Sequence, residues 1–271
     1  MILPEDSNTS RQGQYAQANG LTVYYEEYGN GQPLVLLHGG TDTSQMWGPF
    51  LSSLVPHFRV ITPDSRAHGR TNNPHGELGY HLMADDIVAF IQALHLTQPL
   101  VFGYSDGGQI ALEIGMRYPR LTAAFVVGAA WYQFSENYIN FLKTSGFEGP
   151  GSVDFEKLER VAPEWVSYLK TEHTRTDDSE YWQTLLKQIS TMWWTPLNYT
   201  AEDFHKITEP TLVLVGDRDG LIELQQAVDM YRLIPNAELA VLPNTTHVSA
   251  LNDLSISIVL DFLRRHAATT S

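Results

Sequence analysis

Residues 99–110 join a short apolar run to a helix-like pattern through a turn that contains three glycines. The segment reads P-L-V-F-G-Y-S-D-G-G-Q-I, and Ser105 stands where the apolar run has ended and the helical pattern begins. A serine on such a tight strand-to-helix turn projects its hydroxyl outward, and the glycines leave room that a Cβ would fill. The pattern therefore predicts a nucleophilic serine, although G-x-S-x-G also arises by chance in glycine-rich loops.

Short apolar runs alternate with helical patterns along most of the chain. The predicted strands span residues 14–18, 21–28, 33–37, 58–62, 99–103, 121–127, 211–215 and 238–242. The predicted helices of the same region span residues 44–54, 80–94, 224–234 and 254–265. Asn19-Gly20 separates the first two strands and predicts a hairpin, so the chain begins antiparallel. The later spacing predicts an α/β fold, a parallel sheet with helices on both faces.

Residues 131–203, called the insert below, interrupt this alternation. They show helical patterns at 135–144, 155–172 and 179–193 and no convincing strand. The insert holds 14 aromatic residues in 73 positions, against 16 in the other 198, and five of the six tryptophans. A helical insertion rich in aromatics predicts a lid over an apolar pocket, with Trp131, Trp193 and Trp194 as candidate substrate contacts. The alternative is that these rings form the insert's own small core, and we expect about half of them to do so.

Charge and composition exclude several classes of function. A net charge of -14 argues against nucleic acid and anionic membranes as partners, because both favour a basic surface. The absence of cysteine excludes thiolate nucleophiles, disulfides and Cys-ligated zinc. No run approaches the roughly 20 apolar residues of a membrane helix, and the first dozen residues read as a loose polar tail without a signal peptide. We expect a cytoplasmic protein, monomeric or homodimeric, with a small-molecule substrate.

The order of the motifs carries a family resemblance over essentially the whole chain. H-G-G, D-S-R-A-H-G-R, G-Y-S-D-G-G, the helical insert, G-D-R-D and N-T-T-H follow successive strands. This order resembles the cap-bearing α/β-hydrolase superfamily, and G-Y-S-D-G-G is most similar to its esterase and biphenyl-hydrolase-like members. The resemblance implies an eight-stranded, mostly parallel sheet, a Ser…Asp…His triad in chain order, and no cofactor or metal. It also implies a core domain of residues 1–130 and 204–271 and a helical cap of residues 131–203.

A serine hydroxyl needs a base to take its proton, and imidazole suits that task. His247 follows the last strand, in the loop region where open α/β sheets place their sites. The third triad member is a carboxylate. Asp219 resembles the family position, and Asp217 is the alternative. His38 and His68 read as structural residues. The seven other histidines carry no positional argument and read as surface or cap residues: His57, His75, His81, His95, His173, His205 and His266.

Acyl transfer also requires N–H donors for the developing oxyanion. Gly40 of H-G-G-T resembles the family's first donor, Asp106 follows the nucleophile and supplies the second, and Thr41 is the fallback. The Asp106 carboxylate has two interpretations. It either gains from the dipole of the helix that it begins, or it holds an ammonium group of the substrate.

These residues together predict a serine hydrolase that cleaves a small to medium, apolar or aromatic carboxylic ester through an acyl-enzyme. Two alternatives stay open at this point. The same triad serves amide, carbamate, lactone or C–C bond hydrolysis, and some relatives use the pocket as a non-catalytic receptor for a small molecule. The sequence does not identify the substrate.

Overall fold

The structure is a computed structural model that describes residues 12–267 of the chain. The predicted N-terminal tail covers the first dozen residues. Residues 1–11 lie outside the described range, and Gln12 begins the first strand rather than ending a tail.

Ten strands occur in the described residues: β1 (Gln12–Ala18), β2 (Leu21–Tyr28), β3 (Pro33–Leu37), β4 (Arg59–Pro63), β5 (Leu100–Tyr104), β6 (Ala124–Gly128), β7 (Phe147–Gly149), β8 (Ser152–Val153), β9 (Thr211–Gly216) and β10 (Ala237–Leu242). Eight of them form the central sheet, in the order β1-β2-β4-β3-β5-β6-β9-β10. The pairs β1–β2 and β2–β4 are antiparallel, and every other pair in this sheet is parallel. The predicted eight-stranded, mostly parallel sheet is confirmed.

Burial and local turn chemistry explain these strands. All five residues of β5 and of β6 are buried, as expected for central parallel strands covered on both faces. The β1–β2 hairpin turns at Asn19 and Gly20, whose φ angles of +47° and +75° belong to the left-handed region. Two consecutive positive φ angles match the twist of flanking strands, which is why Asn-Gly predicted this hairpin.

Helices cover both faces of the sheet. A 3-10 helix (Ser44–Phe50) precedes ten α-helices in the described residues: α1 (Leu51–Leu54), α2 (Tyr80–Ala93), α3 (Asp106–Arg117), α4 (Glu136–Thr144), α5 (Phe155–Val161), α6 (Pro163–Glu172), α7 (Tyr181–Trp193), α8 (Ala201–His205), α9 (Leu224–Leu233) and α10 (Asp253–His266). Helix α3 lies very close to the sheet. A Cβ on Gly107 would lie 2.1 Å from the carbonyl oxygen of Leu37 at the end of β3, so only glycine fits there. None of these helices is both long and apolar enough to cross a membrane.

The insert joins β6 to β9 and contains helices α4 to α7 and the start of α8, which straddles residue 203. Two expectations about it were wrong. Strands β7 and β8 form a small antiparallel hairpin around the Gly-Pro-Gly turn at 149–151, where no strand was expected. The helix predicted for residues 155–172 is two helices, because Pro163 lacks an N–H and starts a new helix at α6.

Candidate active site

Ser105 occupies the corner between β5 and α3 in a strained backbone conformation, with φ +54° and ψ -119°. Its N–H donates to the carbonyl oxygen of Gly128 at 2.8 Å, and the N–H of Gly108 donates to its carbonyl oxygen at 2.7 Å. A Cβ on Gly103 would lie 2.0 Å from the carbonyl oxygen of Gly107, so the turn closes only with glycine there. The backbone on both sides of the corner therefore fixes where the hydroxyl points.

Ser105 lies in a hydrogen-bonded series with the predicted histidine and aspartate. Its Oγ is 3.0 Å from Nε2 of His247, and Nδ1 of His247 is 2.8 Å from Oδ2 of Asp219. The structure thus brings together Ser105 after β5, Asp219 after β9 and His247 after β10. This geometry gives the hydroxyl a base and gives the base a carboxylate that fixes its tautomer.

Backbone donors and one tyrosine hold this series in place. The Asp219 side chain is fully buried, and its Oδ1 accepts hydrogen bonds from the N–H groups of Leu221 and Ile222, each at 2.9 Å. The hydroxyl of Tyr104, the last residue of β5, donates to the carbonyl oxygen of His247 at 2.6 Å. Sequence reasoning missed Tyr104, because its partner lies 143 positions away in the chain.

Asp217, the alternative carboxylate of the triad, contacts the loop before His247 and not its imidazole. Asp217 is exposed, and its Oδ1 accepts the N–H of Thr245 at 3.3 Å. Its own N–H donates to the carbonyl oxygen of Leu242, as expected of a turn residue. Asp217 therefore braces the loop before His247, while Asp219 contacts the imidazole.

The two backbone segments that carry the predicted oxyanion donors lie next to each other. A Cβ on Gly40 would lie 2.3 Å from Oδ2 of Asp106, so the two backbone segments meet next to Ser105. Within residues 12–267, neither the N–H of Gly40 nor that of Asp106 has a protein acceptor. The fallback Thr41 is occupied, since its N–H faces Nε2 of His68 at 3.4 Å and its Oγ1 accepts the indole N–H of Trp165 at 3.1 Å.

Three buried histidines lie next to one another, and two of them, His68 and His173, contact Thr41. His38 and His68 have ring centroids 5.1 Å apart, and His68 and His173 have theirs 5.8 Å apart. His173 was expected to be a surface or cap residue, and it lies in the insert, fully buried. Its Nδ1 accepts the N–H of Gly69 at 3.0 Å and its Nε2 donates to the carbonyl oxygen of Thr41 at 2.9 Å. Burial lowers the pKa of all three rings, that of His173 to about 4.

The Asp106 carboxylate is buried and hydrogen-bonded through both oxygens, so it is not open to a ligand. Its Oδ1 accepts the hydroxyl of Tyr80 at 2.7 Å, and its Oδ2 accepts the indole N–H of Trp193 at 2.8 Å. Burial raises the pKa of Asp106 to about 6, against the opposing effect of these two hydrogen bonds. Because both oxygens already have donors from α2 and α7, the interpretation that Asp106 holds a substrate ammonium loses its support. Its place in the first turn of α3 agrees with the dipole interpretation.

A cavity of about 840 Å³ lies between the sheet edge and the insert, and Ser105, Asp106 and His247 line it. Trp131 and Trp193, two of the candidate substrate contacts, are part of its wall. Trp194 does not line it, and its indole N–H donates to the carbonyl oxygen of Phe147 at 3.2 Å, inside the insert. Among residues 12–267, no group of three or more His, Asp or Glu is arranged to hold a metal ion.

The model of the Alpha/beta hydrolase family matches residues 34–253, which include the whole hydrogen-bonded series. The chain belongs to the α/β-hydrolase family. The nucleophile turn, the order of the motifs and the topology of the sheet all agree with this assignment.

The relatives of this hydrolase are named for different substrates. It is 26% identical to a 2-hydroxy-6-oxo-2,4-heptadienoate hydrolase of Pseudomonas putida, covering 93% of this chain and 96% of that protein. It is 27% identical to a pimeloyl-[acyl-carrier protein] methyl ester esterase of Nitrosospira multiformis, covering 90% and 99%. A meta-cleavage product hydrolase from Pseudomonas fluorescens has the same fold, with a TM-score of 0.75 at 21% identity over 93% of this chain and 98% of that one. The names of the three proteins share hydrolysis and differ in the substrate.

Proposed function

We propose that this hydrolase cleaves a small to medium carboxylic ester with an apolar or aromatic group, through an acyl-enzyme on Ser105. The observation that carries the proposal is the hydrogen-bonded series inside the cavity, from Ser105 Oγ to His247 at 3.0 Å and from His247 to Asp219 at 2.8 Å. A serine hydroxyl at this distance from an oriented imidazole is the arrangement that nucleophilic acyl transfer requires.

The first half of the reaction breaks the ester bond. Ser105 Oγ attacks the carbonyl carbon while His247 Nε2 takes the hydroxyl proton. The negative charge that develops on the carbonyl oxygen is stabilised by the N–H groups of Gly40 and Asp106, each contributing about 3 kcal/mol. The intermediate then releases the alcohol, whose oxygen receives the proton from His247.

The second half repeats these steps with water as the nucleophile. His247 takes a proton from water, the hydroxide attacks the acyl carbon, and Ser105 leaves with that proton as the carboxylic acid forms. The Asp219 carboxylate stabilises the imidazolium in both halves. Its fully buried side chain and two backbone donors support this role.

The cavity supports a substrate of modest size. A volume of about 840 Å³ falls within the range of about 300–1,000 Å³ typical of small-molecule sites. Its wall includes rings from the insert, at Trp131, Tyr138, Phe141 and Trp193, which suit an apolar acyl or alcohol group. We assign the insert, residues 131–203, as a cap over a core that comprises the described parts of residues 1–130 and 204–271.

Hydrolysis of a C–C bond next to a ketone is the second candidate. The 26% identity to the Pseudomonas putida dienoate hydrolase favours it. Amide, carbamate or lactone hydrolysis on the same triad would use the same steps.

The test combines labelling with turnover. We expect an alkyl fluorophosphonate to add once to the protein, with the mass increase on the peptide that contains Ser105, and p-nitrophenyl esters of two to twelve acyl carbons to be hydrolysed. A 2-hydroxy-6-oxo-dienoate, followed by its absorbance, tests the second candidate. Ser105→Ala should abolish labelling and turnover, and the matched exposed control Ser167→Ala should retain both. A label on another serine, or turnover by Ser105→Ala, would contradict the proposal.

A further inference from the structure

The charged groups of the cavity wall are all acidic. Three carboxylates line the cavity, at Asp42, Asp106 and Glu164. No lysine or arginine lines it in the part of the chain that the structure describes. A substrate that enters this cavity therefore meets negative charges close to the reacting serine and no side-chain cation.

Only one of these carboxylates is both enclosed and available. Asp106 already accepts hydrogen bonds on both oxygens. Glu164 lies exposed in the first turn of α6, where water screens it. Asp42 is different, because it is half-buried and follows directly after the H-G-G-T segment that carries the Gly40 donor.

Asp42 is held by one oxygen and leaves the other free. Its Oδ1 accepts the hydroxyl of Tyr168, on α6, at 3.0 Å, and its N–H donates to the carbonyl oxygen of Gly39 at 3.2 Å. Within residues 12–267, its Oδ2 has no hydrogen-bond donor. This free oxygen and Ser105 both lie close to Gly39. A Cβ built on Gly39 would be 3.3 Å from Oδ2 of Asp42 and 3.4 Å from the Cβ of Ser105.

Burial raises the pKa of Asp42 to about 6, opposed by the hydrogen bond from Tyr168. Glu172 and Asp106 face it and raise the pKa further, while His247 lowers it. The side chain is therefore mainly a carboxylate above pH 6. A half-buried carboxylate with an unused oxygen binds a donor, above all a charged one, more strongly than the same group does in water.

We propose that Asp42 determines specificity by accepting a hydrogen bond from an ammonium or another donor near the ester, and that the cavity discriminates against substrates with a carboxylate. This inference rests on the proposed ester hydrolysis and names its substrate class. It separates this chain from the Pseudomonas putida relative, whose name specifies a dienoate. A carboxylate next to Asp42 would be repelled and would find no cation among the described residues of the wall.

The test uses three p-nitrophenyl esters of equal length that end in an ammonium, a methyl or a carboxylate group, each at two chain lengths. At pH 7.5 we expect kcat/KM to fall in that order at one length at least, by tenfold or more at each step. Asp42→Asn keeps an acceptor for Tyr168 and removes the charge, so it should reduce the ammonium-to-methyl ratio tenfold or more and raise the carboxylate-to-methyl ratio. The matched control Asp177→Asn removes an exposed charge of the insert that does not line the cavity, and it should leave both ratios unchanged.

A binding measurement on Ser105→Ala keeps this inference separate from the reaction. Quenching of tryptophan fluorescence would report the Kd of hexylamine, hexanol and hexanoate, and hexylamine should bind tightest, with that preference lost in Ser105→Ala/Asp42→Asn. If no ester is hydrolysed and this preference appears, the ester proposal fails and the role of Asp42 stands. If esters are hydrolysed but the carboxylate ester matches the methyl ester, or if Asp42→Asn leaves the ratios unchanged, the inference about Asp42 is overturned.

Discussion

The cavity has two walls that are built in different ways. On the sheet side, Ser105, Asp219 and His247 follow β5, β9 and β10, and backbone groups and one tyrosine hold them in place. On the insert side, rings are held mainly by other side chains. Trp193 donates to Asp106 and Tyr168 donates to Asp42.

This difference predicts separate effects of mutation on the two walls. A side chain that the sheet backbone positions can be replaced without moving its neighbours, so its loss should affect the chemistry alone. A side chain of the insert also positions a partner on the other wall, so its loss should alter substrate preference and stability together. Four experiments test this contrast.

The largest effect is expected at Ser105. Ser105→Ala keeps the Cβ and the backbone hydrogen bonds of the turn and removes only the hydroxyl that we propose as the nucleophile. We expect kcat/KM to fall about 10⁴-fold or more while Tm stays within a degree or two of the parent protein. Ester assays and thermal unfolding measure the two quantities. A large loss of Tm would show that the sheet wall also depends on its side chains.

The two aspartates of G-D-R-D provide a matched pair. Asp219→Asn replaces the carboxylate by an amide, which no longer fixes the tautomer of the His247 imidazole. It should lower kcat by about 10³- to 10⁴-fold. Asp217→Asn affects an exposed turn residue and should change kcat less than about threefold. Equal losses, or the reverse order, would move the carboxylate of the triad to Asp217.

His173 connects the two walls, so its substitution should act on stability. It follows α6 and binds Gly69 and Thr41 of the core through both ring nitrogens. The contact with Gly69 requires a neutral ring, because Nδ1 accepts a hydrogen bond there, whereas Nε2 can donate to Thr41 in either charge state. Its pKa is about 4 in the folded protein and about 6.5 when unfolded, so its contribution is fully present above pH 6.5 and is lost as the pH falls towards 4. The loss amounts to about 1.4 kcal/mol per pH unit, or about 3 kcal/mol in all.

The quantity to measure is the difference in stability between the parent protein and a His173 variant, because other titrating groups change the stability of both in the opposite direction. Asp42 and Asp106 have raised pKa values of about 6, so the folded protein gains stability from them on acidification. His173→Gln keeps a donor and an acceptor but does not titrate in this range. Urea unfolding should therefore show the stability of the parent relative to this variant falling between pH 6.5 and pH 4.5. The exposed control His75→Gln should show no such change, and a constant difference for His173→Gln would contradict the expectation.

The residues of the sheet wall could be predicted from the sequence because the motifs that contain them are local. The turn at Ser105, the glycines beside it and the G-x-x-D turn at Asp219 each follow a buried strand within a few residues. The strands of the sheet also lie within a few residues of their predicted bounds. The contacts between the two walls have no local motif, because they join residues that are far apart in the sequence. His173 and Thr41 are 132 positions apart, and Asp106 and Trp193 are 87 positions apart. Apolar periodicity records that a ring is buried, and it does not record which partner the ring meets.

The smallest effect separates two adjacent tryptophans of the insert. Trp193 lines the cavity and donates to Oδ2 of Asp106, whereas Trp194 donates to the carbonyl oxygen of Phe147 and does not line it. Replacing either by Phe removes an N–H from a buried acceptor, which costs about 1–3 kcal/mol, so both variants should lose a few degrees of Tm. Only Trp193→Phe also changes the cavity wall and releases Asp106 beside the oxyanion donors. We therefore expect its preference among ester chain lengths to change by about threefold to tenfold in kcat/KM, with that of Trp194→Phe unchanged. If both variants kept the parent preference, the insert would support the cavity without selecting what enters it, and the two walls would no longer differ in the way proposed.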